Sequence, residues 1–197
     1  YYDKYGKYQY NISNKENNIK EIKNSNETIY SSEQLKKYEK DFNTLAINGF
    51  IISTNAYTKP SEIDLGQVFY NGAGFNNEIS KEEVEEYKKL RKYHETDIVK
   101  ITTKQAEKLY YDNTGEKLED LKGRLKNWIY IEKYDAYYNE VSDTNFEKVN
   151  CIKGIMDEQN KIMKIQLSND RTISVKIDYD KGTHYIVSNN SIKSIDN

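Results

Sequence analysis

The chain has 197 residues, of which 36% are hydrophobic and 19 are tyrosine, and its formal net charge is -2. This composition predicts a folded domain with a small core, because the net charge is too small to keep the chain expanded. The charge balance argues against a nucleic-acid-binding protein, which normally has an excess of basic residues. The longest apolar stretch, Trp128–Ile131, is far too short to span a membrane.

The N-terminal segment Tyr1–Tyr30 is predicted to be a flexible tether. It is rich in asparagine and lysine, and its isolated isoleucines bury too little apolar surface to offset the entropy of ordering the chain. Two interpretations stay open: a remnant of expression, or a spacer that holds a domain away from a surface. Because the sequence begins at Tyr1, we expect a processed chain from which any leader has been removed. Residues 31–197 are expected to form a single α+β domain.

The next segment is predicted to be helical. Ser31 and Gln34 have the spacing of a capping box, and apolar side chains then recur every three or four residues. Asn48-Gly49 is predicted to end this helix, since glycine accepts the left-handed conformation of a helix end. The apolar run Phe50–Thr54 is then predicted to be a short buried strand.

The middle of the chain predicts three more helices and one strand. A capping box at Ser80 and Glu83 begins the first of these helices. Asp97–Thr102 has the character of a strand, and Lys104–Tyr111 that of a helix. A further helix is predicted from the spacing of Leu118, Leu121, Leu125 and Trp128.

The C-terminal third alternates apolar and polar residues with a period of two, which is typical of strands with one exposed face. Turn residues separate the alternating runs, so consecutive strands are expected to pair as antiparallel hairpins. Helices followed by an antiparallel meander predict the α+β class. The predicted inward-facing residues are Met163, Ile165, Leu167, Ile173, Val175, Ile177, Tyr179, Tyr185 and Val187.

Few residues suit metal or nucleophilic chemistry. The chain has a single cysteine, Cys151, and its two histidines are His94 and His184. These cannot assemble a closed zinc site, and no cofactor motif is found, so no metal and no cofactor are expected. Cys151 and His184 could form a nucleophilic pair. Cys151 is in phase with Val149, however, which favours a small buried hydrophobic residue on a strand.

A tyrosine-rich segment, Tyr134–Asn145, is the strongest candidate for ligand binding. Tyrosine offers a stacking face and a hydrogen-bonding tip, so the segment could form a polar, aromatic pocket. The favoured interpretation is instead a hairpin whose tyrosines cover the edge of a thin core. The candidate ligand-binding residues are Tyr134, Asp135, Tyr137, Tyr138, Asp143 and Asn145.

The order and spacing of several stretches resemble those of a known group of proteins. The stretches are Ile63–Gly74, Asp97–Thr102, Tyr134–Tyr138 and Asp143–Asn145. They resemble uncharacterised secreted lipoproteins and cell-surface proteins of clostridia and related Gram-positive bacteria, over roughly two thirds of the chain. The resemblance implies an extracellular domain anchored through a lipid-modified cysteine outside this chain. It implies no catalytic residue and no substrate.

The functional prediction is a non-catalytic, surface-displayed domain that binds a cell-envelope ligand such as a cell-wall glycan or peptide. The alternative is a secreted hydrolase that acts on cell-wall material through carboxylates such as Asp64, Asp135 or Asp143. A third interpretation is an assembly module with an extracellular protein partner. No nucleic acid is expected as a partner, and a membrane only through the lipid anchor.

Overall fold

The computed structural model describes residues 27–52, 55–91, 96–141 and 146–191. The predicted α+β class is confirmed, because helices dominate the first half and an antiparallel meander forms the second. The elements up to the middle of the chain are β1 (Glu27–Ile29), α1 (Ser32–Phe42), α2 (Leu45–Ile51), α3 (Leu65–Phe69), α4 (Lys81–Leu90), β2 (Ile98–Thr102) and α5 (Thr103–Thr114). They are followed by α6 (Leu121–Arg124), β3 (Ile129–Ile131), β4 (Ala136–Glu140), β5 (Cys151–Asp157), β6 (Ile162–Leu167), β7 (Arg171–Asp178) and β8 (Thr183–Ser191).

The larger of two antiparallel sheets has the strand order β1-β5-β6-β7-β8. Its register pairs Gly154 with Ile165 and Ile165 with Ile173, so one face collects the apolar residues of successive strands. Helix α1 packs on this face, above β5. The predicted hairpins are confirmed, and the buried residues of this face include Met156, Met163, Ile165, Ile173, Val175, Ile177 and Ile186.

Two details of the meander differ from the prediction. Strand β7 ends at Asp178, which leaves Tyr179 in the following turn and 40% exposed. In β8 the buried hydrophobic side chain is Ile186, and neither Tyr185 nor Val187 is fully buried. A register shift between Ser174 and Val175 lies in the pairing of β7 with β8. Such an irregularity changes which residues face the core, and simple alternation does not reveal it.

The smaller sheet has the order β2-β4-β3 and is also antiparallel. Helix α4 lies against it and closes a second, smaller core around Tyr87 and Tyr138. The predicted strand at Asp97–Thr102 and the helix that follows it are present as β2 and α5. Strand β4 carries the first part of the tyrosine-rich segment.

The first predicted helix is divided in two. The capping box at Ser31 and Gln34 is present, but α1 ends at Phe42, and α2 begins two residues after Asn43. The predicted stop at Asn48-Gly49 is wrong, because both residues lie inside α2. A Cβ at Gly49 would stand 2.7 Å from Val68 Cα, so glycine here permits the close approach of α3.

The predicted strand Phe50–Thr54 is also wrong. Phe50 and Ile51 form the end of α2 and are fully buried, while residues 53–54 lie outside the described ranges. Short apolar runs fit a buried strand and a buried helix equally well, so the pattern could not decide between them. The amide of Asn189 on β8 holds this helix end by donating to the carbonyl oxygens of Phe50 and Ile51.

Two other boundaries need correction. The predicted tether Tyr1–Tyr30 includes β1, which pairs with β5, so the folded region begins earlier than residue 31. Residues 1–26 lie outside the described ranges. The helix predicted over Leu118–Trp128 is reduced to α6, whose start is capped by the side chain of Asp120. Leu118, Leu125 and Trp128 are buried although they lie outside this helix. The regular spacing of the apolar residues therefore marks a buried irregular segment and not one long helix.

Candidate functional site

The predicted tyrosine residues lie on the β3–β4 hairpin, but the structure does not bring them into one pocket. Tyr137 and Tyr138 are neighbours in β4, and successive strand residues point to opposite faces of a sheet. Their side chains therefore enter different environments. Asp143 and Asn145 lie outside the described residues, so their contribution to this segment stays a prediction.

Asp135 forms the turn of the hairpin. Its backbone is in the left-handed region, with φ of 44°. The carboxylate accepts hydrogen bonds from Thr103 Oγ1 at 2.6 Å and from the Tyr130 hydroxyl at 2.9 Å. These bonds from Thr103 and Tyr130 lower the pKa of Asp135. Asp135 therefore links the turn to β3 and α5 through these hydrogen bonds. Its carboxylate stays ionised.

Tyr138 belongs to a buried polar cluster between α4 and the smaller sheet. Its hydroxyl donates to Glu83 Oε1, and Lys100 Nζ forms an ion pair with the same oxygen. Burial alone would raise the pKa of Glu83, but the hydrogen bonds from Lys100, Tyr138 and Ser80 outweigh it and lower the pKa to about 2. The ring of Tyr134 lies 5.8 Å from Lys100 Nζ. This cluster fixes α4 on the sheet and leaves no space for a ligand at Tyr138.

Tyr137 faces the other side of the sheet. It is 5% exposed, and its ring lies 4.8 Å from that of Tyr130. The two rings form one wall of a shallow depression beside Trp128. The structure describes four of the six predicted ligand-binding residues. Among these four, Tyr137 lines this depression.

The other side chains with catalytic interest have structural contacts. Asp64 caps α3 by accepting from the backbone N–H of Gln67. Cys151 is partly buried. This burial, with a smaller effect from the nearby Glu39 carboxylate, raises the pKa of its thiol to about 12. The thiolate needed for nucleophilic attack is therefore disfavoured. This agrees with the interpretation of Cys151 as a packing residue.

A larger concave site lies between α1 and the β7–β8 hairpin, and we call it the aromatic groove. It has a volume of about 800 Å³. Its floor is apolar and includes Phe42, Ile47 and Val175. Its walls and rim carry the aromatic and polar side chains Tyr30, Gln34, Tyr38, Asp41, Asp178, Tyr179 and His184.

His184 and Tyr38 form the central aromatic wall of this groove. Their rings are stacked at a centroid distance of 5.5 Å and an interplanar angle of 24°. Burial, and to a smaller extent the positive charge of Lys37, lowers the pKa of His184. The nearby Asp41 carboxylate acts in the opposite direction, but its effect is smaller. His184 is accordingly a neutral ring at neutral pH, suited to stacking and to hydrogen bonding through its nitrogens.

The rim supplies hydrogen-bonding groups. Asp178 accepts from the backbone N–H groups of Asp180 and Lys181, which fixes its carboxylate at the end of β7. Asp41 and Gln34 lie opposite on α1. Aromatic faces beside fixed carboxylate and amide groups suit a ligand with apolar CH faces and several hydroxyls, as in a sugar.

Sequence reasoning missed this groove. In the sequence, Tyr38 falls among the apolar positions of the first predicted helix, and the role suggested for His184 is a pair with Cys151. The two rings meet because α1 packs across strands from the far end of the chain. The repeated tyrosines indicated aromatic binding in general, but no local spacing joined Tyr38 to His184.

Comparison with protein-family models finds no match for this chain, and neither does comparison with curated proteins or with solved structures. In the described ranges, no three His, Cys, Asp or Glu side chains are grouped so that they could hold a metal ion. None of the helices described there has the length and apolar character needed to cross a membrane. The functional argument therefore depends on the geometry of the groove.

Proposed function

We propose that the protein is a non-catalytic binding domain that recognises a polyhydroxylated cell-envelope ligand, of the cell-wall glycan type, in the aromatic groove. The single observation that carries this proposal is the stacked Tyr38–His184 pair set beside the fixed rim carboxylate of Asp178. The volume of about 800 Å³ lies within the range of small-ligand sites and would accept a short oligosaccharide.

The display of this domain outside the cell is part of the same proposal. It is supported by the resemblance to secreted lipoproteins of Gram-positive bacteria and by the tether-like composition that precedes β1. The lipid anchor would lie outside this chain. A binding domain on such an anchor would be held next to the cell wall.

The hydrolase alternative is less well supported by the same contacts. Asp64 is engaged as a helix cap. The pKa of Asp135 is lowered by its bonds from Thr103 and Tyr130, whereas a general acid needs a pKa near the working pH. Turnover of a wall-derived substrate by the purified protein, abolished by Asp64→Asn or Asp135→Asn, would establish the hydrolase instead.

The proposal is tested first by thermal shift with muropeptides and with oligosaccharides of N-acetylglucosamine. A compound present at 100 times its dissociation constant stabilises the folded state by about 2.7 kcal/mol. For a chain of this size that amounts to a rise in Tm of several degrees. Hits would then be titrated calorimetrically against the wild-type protein and groove variants.

The informative variants are His184→Ala and Tyr179→Ala, with Tyr111→Ala as the matched control. Tyr179 and Tyr111 are both exposed tyrosines, 40% and 48% respectively, but Tyr111 does not line the groove, although its α5 neighbours Leu109 and Asp112 do. Loss of a stacking ring is expected to weaken binding roughly threefold to tenfold. Equal affinities in the Tyr179→Ala and Tyr111→Ala proteins, or no saccharide response at all, would reject the groove as the glycan site.

A further inference from the structure

A second concave surface lies between α3, the segment after α6 and strand β4, and we call it the Trp128 cleft. It has a volume of about 790 Å³. It shares Leu125, Lys126 and Trp128 with the shallow depression that Tyr137 borders. Its polar lining includes Asp64, Gln67, Lys126, Asn127, Trp128 and Asn139. None of these residues belongs to the aromatic groove.

Trp128 has a fixed position in the cleft. The indole packs edge-on against Phe69, with ring centroids 6.4 Å apart and an interplanar angle of 82°. Its Nε1 lies beside Gly66 on α3, 3.8 Å from the point that a Cβ there would occupy. Because Gly66 has no side chain, the space beside the indole nitrogen stays open, and the indole N–H can only donate a hydrogen bond.

Asn139 is oriented by an arginine. Arg91 donates from one guanidinium nitrogen to Asn139 Oδ1 at 2.9 Å and from the other to the Asn127 carbonyl oxygen at 2.8 Å. Because the Asn139 oxygen accepts from Arg91, the group that this side chain can offer to a ligand is its NH2. The cleft thus presents N–H donors from a side-chain amide and an indole, both held by neighbouring residues.

Most of the ionisable side chains that line the cleft and the adjoining depression are positive. Arg124 and Lys126 lie on its wall, and Lys122 borders the adjoining depression. Among the described residues that line these two surfaces, the acidic one is Asp64, whose carboxylate caps α3. This local excess contrasts with the net charge of -2 of the whole chain. Positive charge and N–H donors together suit an anion rich in oxygen.

We propose that the Trp128 cleft is a separate anion site that binds a phosphate group, carried by a small phosphate ester or by a phosphodiester polymer. Lys126 supplies the charge, and the amide of Asn139 and the indole N–H of Trp128 donate to phosphate oxygens. The inference is independent of the proposed glycan site, because the two surfaces have no lining residue in common.

Trp128 provides a direct measurement, since it is the only tryptophan of the chain. Titration of the full chain with glycerol 3-phosphate is expected to change its fluorescence, whereas glycerol at equal concentration is not. Rising salt should weaken the response, because exposed charges are screened. An oligomer of glycerol phosphate that binds more tightly than the monomer indicates a polymer ligand, and equal affinity per phosphate indicates the free ester.

Two variants test the assignment of residues. Asn139→Asp preserves the oxygen that accepts from Arg91 but replaces the outward NH2 by a second negative oxygen. We expect Asn139→Asp to weaken glycerol 3-phosphate binding by about tenfold or more, and we expect the same of Lys126→Gln. The matched control is Lys36→Gln, which removes the same charge from the exposed side of α1.

The geometry is tested separately by Gly66→Ala. The added methyl group would lie 3.8 Å from the indole Nε1 and 3.1 Å from Asp64 Oδ1, the oxygen that caps α3. We expect weaker phosphate binding, with a free energy of unfolding within about 1 kcal/mol of the wild type. The proposal is overturned if glycerol 3-phosphate at about 10 mM leaves Trp128 fluorescence unchanged. It is also overturned if Lys36→Gln weakens binding as much as Lys126→Gln, or if Gly66→Ala binds like the wild type.

Discussion

The two sheets are both antiparallel and share the main apolar core, to which the smaller sheet adds Ile101 and Tyr137 on one face. They differ in that the other face of the smaller sheet buries polar groups. The larger sheet buries an apolar face in which Ile165 stands between Gly154 and Ile173. The smaller sheet buries an ion pair, with side chains of Glu83 and Lys100 only 6% and 16% exposed. Apolar burial is non-directional and independent of pH, whereas a buried ion pair depends on geometry and on the protonation state.

A protein with few apolar residues can therefore complete a second core with buried polar groups that pair with one another. The small core has Tyr87, Ile131, Ala136 and Tyr138 as its buried members. Glu83 closes it by serving two functions, as the capping residue of α4 and as the partner of Lys100 and Tyr138. The two sheets should therefore respond differently to substitution and to acid.

The largest effect is expected in the apolar core of the larger sheet. Ile165→Ala removes a fully buried side chain and should lower the free energy of unfolding by about 4 kcal/mol. The matched control is Lys164→Ala, the neighbouring residue on the exposed face, with an expected change of about 0.5 kcal/mol or less. Urea denaturation measures both. Similar losses in the two variants would contradict the assignment of faces.

The ion pair of the smaller sheet gives the next effect, and it depends on pH. The folded pKa of Glu83, about 2, lies below its ordinary value of 4.5. The carboxylate therefore contributes stability above about pH 4.5, and this contribution is lost as the pH falls towards 2. We expect the wild type to lose about 3 kcal/mol from this group over that window. Glu83→Gln should lack this contribution and keep only that of other carboxylates with a lowered pKa, such as Asp135.

At neutral pH, Glu83→Gln keeps the capping geometry but leaves Lys100 without its carboxylate. We expect a loss of about 3 kcal/mol from the unpaired buried charge. The double variant Glu83→Gln, Lys100→Met should recover most of this loss, because no charge then remains to be paired. Thermal unfolding at neutral pH measures the three proteins. A double variant as unstable as the single one would show that the charge is not the origin of the loss.

The close approach of α2 and α3 gives a smaller effect. Gly49→Ala would place a Cβ 2.7 Å from the backbone of Val68, and we expect a loss of about 2 kcal/mol from the forced separation of the helices. Gly66→Ala is the matched control, since it too lies in a short helix but meets a flexible side chain first. The control should stay within about 1 kcal/mol of the wild type in chemical denaturation.

The smallest effect is expected on the surface. Lys108 and Asp112 form an ion pair one turn apart on α5, with side chains 72% and 50% exposed. Lys108→Gln should change the free energy of unfolding by less than about 0.5 kcal/mol, because solvent and salt screen such pairs. A loss as large as that of Glu83→Gln would remove the distinction drawn between exposed and buried ion pairs.

Part of the candidate site could be predicted from the sequence. The tyrosine-rich segment predicts a hairpin with its turn at Asp143 and Asn145, and these two residues lie outside the described ranges, so that turn stays a prediction. Strand β4 lies in the segment, but the turn that joins it to β3 is at Asp135.

Tyr137 and Tyr138 were both predicted as residues of one pocket, but adjacent residues of a strand point to opposite faces, and in the structure the two rings lie on opposite sides of the sheet. What remained hidden was the partner of each ring, Tyr130 for the first and Glu83 for the second.

The sequence by itself determined the elements whose signals are local. Alternation with a period of two predicted the meander, and the capping boxes at Ser31 and Ser80 placed two helix starts, since each depends on residues at most a few positions apart. Only the tertiary structure decided which distant groups meet. The Tyr38–His184 stack, the Lys100–Glu83 pair and the Arg91–Asn139 contact each join separate elements, and their stability comes from burial and geometry that exist only after the chain has folded.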